Sequence, residues 1–172
     1  MVIHALLPQT RFVAKQDVAR WPLVGWLLAG GDTLLVDRDR PRDAARAVAC
    51  IRQALQAGHT LALFPEGTTS DGSGLLAFHS SLLQAAVLAQ ACVQPIVLRY
   101  AEAGHMPSAS VPYAGSTVFV QSLWRVCRAQ GLVAQVQALP AQLAPHADRR
   151  ALTRRLHAVM AAALGQAPAA GA

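Results

Sequence analysis

Short apolar runs separated by helix-period segments constrain the fold of this chain more than any other feature. Thr33-Leu34-Leu35-Val36, Thr60-Leu61-Ala62-Leu63 and Val93 to Arg99 each read as a strand. The continuous Thr33–Val36 run predicts a strand buried on both faces, and the other two runs predict buried strands. Between them, Arg42 to Ala57 reads as a helix with Ala45, Val48, Ile51 and Leu55 on one face. Pro41 fits its first position and Gly58 its stop. Phe78 to Ala91 predicts a second helix with Leu82, Ala85, Ala86 and Ala89 inward. Arg11 to Lys15 adds a short strand, Val118 to Ala129 a helix, Leu132 to Leu139 a strand of mixed pattern, and Asp148 to Leu164 a last helix, basic on one side. The alternation predicts an α/β fold, a mostly parallel central sheet flanked by helices. At 172 residues one domain is expected, over 1–164, with a disordered tail over 165–172.

The chemistry concentrates after the central strand, in Phe64-Pro65-Glu66-Gly67-Thr68-Thr69-Ser70, followed by the turn pair Asp71-Gly72. Gly67 permits close backbone approach to a ligand, and the hydroxyls of Thr68, Thr69 and Ser70 can donate to phosphate or carboxylate oxygens. A capped turn leading into the next helix explains the same composition. In open α/β sheets ligands sit beyond the carboxyl ends of strands. Asp37-Arg38 and the Phe64–Ser70 loop both occupy such ends, one cationic and one hydroxyl-rich, so they can converge on a phosphate. A strand-end ion pair of Arg38 with Asp37 or Asp39 is the plainer account of that arginine.

Composition narrows the partners. The chain is 53% hydrophobic and 14% charged, with mean hydropathy +0.32, against roughly 25% charged in an average soluble domain. Either the strands are unusually buried or the surface meets lipid. The net charge of +6 attracts anionic lipid, phosphorylated partners or nucleic acid. Aromatics are only 5%, and no basic-aromatic alternation offers a stacking platform, so lipid or phosphate fits better than nucleic acid. Val18 to Ala29 sets Trp21 and Trp26 beside Arg20, which suits a membrane interface or an internal helix kinked at Pro22. No run supplies the roughly 20 apolar residues of a membrane span, so a membrane contact would be peripheral. No signal peptide is expected. Cys50, Cys92 and Cys127 are widely spaced; Cys50 and Cys92, in apolar periodic segments, are expected as buried reduced thiols, which fits a cytoplasmic compartment. No spacing resembles a metal site.

Four segments, in order, resemble the phospholipid/glycerol acyltransferase family, the 1-acylglycerol-3-phosphate acyltransferase group. They are RFVAK with the following WPLVGWL, then TLLVDR, FPEGTTSDG and VQPIVLRY. The resemblance runs from about residue 6 to 155, taking in Ser122-Leu123-Trp124 and Asp148-Arg149-Arg150. It implies an enzyme working peripherally at the cytoplasmic face of the inner or plasma membrane. Such an enzyme moves an acyl chain from a thioester donor, acyl-CoA or acyl carrier protein, to the hydroxyl of a lysolipid acceptor, and uses no cofactor or metal. It also implies that Arg38 binds the acceptor phosphate, with Lys15 adding positive charge, and that Glu66, Gly67, Thr68 and Thr69 shape the acceptor site. Asp32 stands where the family usually has glycine. Thr69 stands where arginine is common, and a neutral hydroxyl replaces bidentate charge there. FPEGTTSDG is similar to the branch that includes lyso-ornithine lipid acyltransferases.

The family's general base is the histidine of His-x-x-x-x-Asp, which takes the acceptor's proton while the aspartate holds the imidazole. Five residues after His4, His59, His79, His105, His146 and His157 stand Gln9, Phe64, Gln84, Ser110, Ala151 and Ala162. None is aspartate, so no catalytic residue is assigned. The register of RFVAK places the motif upstream of Met1, and a missing N-terminal segment is the simplest expectation. Little turnover is then expected of this polypeptide, and a non-catalytic lipid-binding remnant is the alternative. Gly72-Ser73-Gly74-Leu75-Leu76-Ala77 matches a dinucleotide pattern on paper but does not directly follow a strand. There is no G-x-S-x-G elbow and no phosphate-binding P-loop.

Overall fold

A computed structural model describes residues 2–16, 33–36, 41–72, 74–105, 107–108, 110–112 and 119–165. The Val18 to Ala29 segment, with Trp21 and Trp26, and Asp32 lie outside the described residues, as does the tail from 166. In chain order the elements are α1 (Val2–Leu6), β1 (Arg11–Lys15), β2 (Leu34–Val36), α2 (Pro41–Gln56), β3 (Leu61–Ala62), α3 (Ser80–Ala89), β4 (Ile96–Ala101), α4 (Phe119–Arg128), β5 (Val133–Ala138) and α5 (Arg149–Ala163). The chain divides into two compact units: Met1–Pro65, His79–Cys92 and Leu143–Leu152 form the first, Glu66–Phe78, Val93–Gln142 and Thr153–Ala172 the second.

In the first unit β1 lies between β2 and β3 and runs parallel to both. Val13 is level with Leu34, Lys15 with Val36, and Phe12 with Ala62. Strand side chains alternate between faces, so Val13, Leu34, Leu61 and Leu63 share one face. They pack on the buried cluster of Ile51, Leu82 and Ala85, supplied by α2 and α3. The opposite face carries Phe12, Ala14, Leu35 and Ala62, and there Leu35 is 41% exposed. The expectation that the Thr33–Val36 run is buried on both faces is therefore corrected: the described helices cover one side of it.

Helix α2 keeps its expected start at Pro41 but is turned slightly from the expected face. Ala47 and Ile51 are buried, with Val48 and Leu55 packed alongside, whereas Ala45 is exposed. Cys50 sits on the flank of the same helix and Cys92 beyond the end of α3. Both are exposed, as is Cys127, which corrects the expectation of buried thiols. In α3, Leu82, Leu83, Ala85 and Ala86 are buried, while Ala89 is only half-buried.

Both helices end in a Schellman turn. After α2 the Gly58 N–H donates to the Leu55 carbonyl and the His59 N–H to that of Ala54. Gly58 there has φ +85°, which a residue without a Cβ adopts freely. After α3 the same place is held by Gln90, at φ 52°, where a Cβ crowds the following carbonyl. Gln90→Gly is expected to stabilise the fold by about 1 kcal/mol, a rise of roughly 2–4 °C in Tm, measurable by thermal melts of the two proteins.

The second unit joins β4 and β5 antiparallel, from Ile96 opposite Ala138 to Ala101 opposite Val133. Val97 of β4 is buried and its other residues are half-buried, whereas every β5 residue is exposed, so the strand expected to be buried at Val93–Arg99 begins at Ile96 and is covered only in part. Arg99 donates to the Ala163 carbonyl at the carboxyl end of α5, where a cation meets the negative end of the helix dipole. At the other end of α5 the Asp148 carboxylate accepts the N–H groups of Arg150 and Ala151, at 2.7 and 2.8 Å, an N-cap.

Burial raises the Tyr100 phenol above its ordinary 10.0. The neutral phenol is thereby favoured in the folded state. Its contribution to stability is complete below pH 10.0 and is lost as pH rises through the higher folded value. Melts across the alkaline range are expected to show this loss, and Tyr100→Phe should remove it.

Candidate functional site

The carboxyl ends of the parallel strands meet at one edge of the first unit. Lys15 ends β1, half-buried, level with Val36 at the end of β2. Beyond β3 the chain passes through Leu63, which packs inward, to Phe64, which is 59% exposed. The Phe64 ring stacks on Phe12, with centroids 6.4 Å apart, and His4 lies 6.2 Å from the other neighbour's share of that contact, the Phe12 ring. Pro65 then turns the chain away, and its carbonyl accepts the His79 N–H at 2.8 Å. The segment between these residues thus leaves and returns at one neck.

Within the second unit that segment is closed by Glu66. One carboxylate oxygen, Oε2, accepts the Leu76 N–H at 2.9 Å, ten residues on. Gly67 follows at φ +69°, a left-handed turn that glycine adopts without strain. Thr68 and Thr69 are exposed, and the Ser70 hydroxyl accepts the Gly72 N–H at 3.2 Å. The carboxylate thus holds a loop in which Gly67, Thr68 and Thr69 are exposed, and the threonine hydroxyls can donate to ligand oxygens.

Of the residues expected to bind, Glu66, Gly67, Thr68 and Thr69 come together in this loop. Lys15 belongs to the first unit. Arg38 lies outside the described residues. What sequence reasoning missed is the closing contact of Glu66, because the backbone N–H that Leu76 donates to it has no residue-type signature. Among the described residues no group of three His, Cys, Asp or Glu side chains is placed to hold a metal, and no helix is long and apolar enough to cross a membrane.

The profile described as Acyltransferase matches residues 1–99. The chain belongs to the Acyltransferase family. Among relatives of this Acyltransferase chain, a lyso-ornithine lipid O-acyltransferase of Pseudomonas aeruginosa is 32% identical over 163 residues, covering 95% of this chain and 62% of that protein. A 1-acyl-sn-glycerol-3-phosphate acyltransferase of Neisseria gonorrhoeae is 32% identical over 155 residues, covering 90% and 60%. The crystal structure of the 1-acyl-sn-glycerophosphate (LPA) acyltransferase PlsC from Thermotoga maritima superposes with TM-score 0.57 and 17% identity, over 91% of this chain and 56% of that one. That likeness shows the α/β acyltransferase fold. The chain spans about three fifths of the length of these curated relatives. Its Acyltransferase match ends at Arg99, inside β4, and so contains the whole Glu66–Leu76 loop.

Proposed function

We propose that this chain is an acyltransferase-type domain, acting as one domain over residues 1–164, that holds a lysolipid acceptor for acyl transfer. The observation that carries this reading is the Glu66-closed loop presenting Gly67, Thr68 and Thr69, in a chain aligned over 95% of its length with a lyso-ornithine lipid O-acyltransferase. In the reaction the acceptor hydroxyl oxygen attacks the thioester carbonyl of acyl-CoA or acyl carrier protein. The carbon–sulfur bond breaks, the hydroxyl's proton passes to a base, and the thiolate leaves to be protonated. The threonine hydroxyls of the loop donate to oxygens of the acceptor headgroup. The protein works peripherally at the cytoplasmic face of a membrane, where lysolipid resides.

None of the six histidines begins a His-x-x-x-x-Asp motif, and this supports a second reading in which the 172-residue chain binds acceptor without turning it over. Both readings require acceptor binding. Calorimetric titration with lysophosphatidate and with lyso-ornithine lipid, each below its aggregation threshold, is expected to give saturable binding of at least one. Saturation by neither, in a chain shown folded by circular dichroism, would contradict both. Thr69 in place of arginine favours the acceptor without a glycerol phosphate, because a hydroxyl offers less to a doubly charged group than a guanidinium does.

A further inference from the structure

Helix α4 turns apolar side chains of its described part to solvent. An amphipathic surface helix normally turns its apolar stripe inward. Here Ser122 is buried and Val126 half-buried on one side, while Leu123 and Trp124 are 45% and 62% exposed and Cys127 is exposed on the other. At about 100° per residue, Leu123, Trp124 and Cys127 form one outward stripe. Arg128 borders it, its guanidinium 5.9 Å from the centre of the Trp124 ring, and the exposed Arg125 lies next to Arg128 around the helix.

The stretch of chain that carries the stripe has charge of one sign. Between Glu102 and Asp148 the sequence contains no acidic residue, so no carboxylate in that stretch offsets the two arginines. A tryptophan ring with arginine at its margin matches the boundary between acyl chains and headgroups, where the ring takes the apolar side and the guanidinium the phosphates. An apolar patch on a protein partner has no use for the unopposed cations, whereas an anionic headgroup layer meets both. The geometry points to α4 as a membrane-docking helix that seats Leu123 and Trp124 in the interface of an anionic bilayer, with Arg125 and Arg128 on its phosphates. This deepens the peripheral-membrane part of the proposed function and rests on it.

The test uses the full chain and vesicles of phosphatidylglycerol with phosphatidylcholine, against phosphatidylcholine alone, with no acyl donor present. Trp21→Phe/Trp26→Phe leaves Trp124 as the sole tryptophan of the three. Its emission is expected to shift to the blue on anionic vesicles and to be quenched by brominated acyl chains. Each basic residue at an anionic surface contributes roughly fivefold, so Arg125→Gln/Arg128→Gln, which keeps all three tryptophans, should weaken co-sedimentation about thirtyfold at low salt. The proposal is overturned if the double arginine variant binds vesicles as well as the parent. It is equally overturned if bound protein leaves Trp124 open to aqueous acrylamide, since another surface then docks. Failure to bind vesicles, with self-association that Trp124→Ser abolishes, would instead make the stripe a contact between copies of the chain. Vesicle docking and lysolipid titration are read separately, so either reading can fail while the other stands.

Discussion

Ile51→Ala is expected to destabilise the fold by about 2–5 kcal/mol, the range for removing a large aliphatic side chain from a core. Ile51 is 1% exposed and lies at the centre of the first unit's packing, with Leu82 and Ala85 buried beside it. Val13, Leu34, Leu61 and Leu63 close the cluster from the parallel sheet, and Val48 and Leu55 from its own helix. Sheet residues fixed by ladder hydrogen bonds collapse poorly into a void, which favours the upper part of that range. Against a typical total of roughly 5–15 kcal/mol the loss is a large share, and urea melts should show it as a lower midpoint at an unchanged slope. Ala45→Gln is the informative control. Sequence periodicity groups Ala45 with Ile51, but it is exposed, so its substitution should stay within about 0.5 kcal/mol. A cost for Ala45→Gln comparable to that of Ile51→Ala would show that α2 presents a different face to the sheet.

Glu66→Ala is expected to weaken lysolipid binding about tenfold or more, equivalent to roughly 1.4 kcal/mol, while Glu66→Gln retains most of the affinity. The reason is the contact to the Leu76 N–H. Truncation leaves that part-buried donor without its acceptor, a cost of about 1–3 kcal/mol, and frees the loop that carries Gly67, Thr68 and Thr69. The glutamine amide oxygen can take the same N–H, so the conservative variant restores the loop without restoring charge. Glu66 is therefore a positioning residue in this account. Equal losses for Ala and Gln would mean that its charge touches the acceptor directly.

The legible parts of the fold are those that residue type alone dictates. Pro41 and Gly58 bracket α2 because one lacks an N–H and the other lacks a Cβ. The apolar runs announce the strands because no polar side chain interrupts them. The face of α2 was less legible, since alanine fits either side of a helix and Ala45 and Ala47 differ only in what lies opposite. The Thr60–Phe64 run shows the same limit: hydrophobicity continues to Phe64, but the ladder ends at Ala62 and the ring turns outward. The left-handed turn after α3 escaped notice because Gln90, not glycine, holds it. In the site, the loop was legible as a polar segment after a strand, but its closure spans ten residues to a backbone group. The exposed side of α4 was illegible for a different reason. An apolar stripe in sequence reads as inward, and only packing shows that Ser122 took the inner place.

We propose that this chain carries the acceptor part of an acyltransferase site and, with none of its six histidines beginning a His-x-x-x-x-Asp motif, binds acceptor without turning it over. Acceptor-dependent thiol release from acyl-CoA, on the same folded preparation used for lysolipid titration, tests it most directly. The predicted result is lysolipid binding with no release above the rate without acceptor. Release that depends on lysophosphatidate or lyso-ornithine lipid would contradict it and make His4 the first residue to replace.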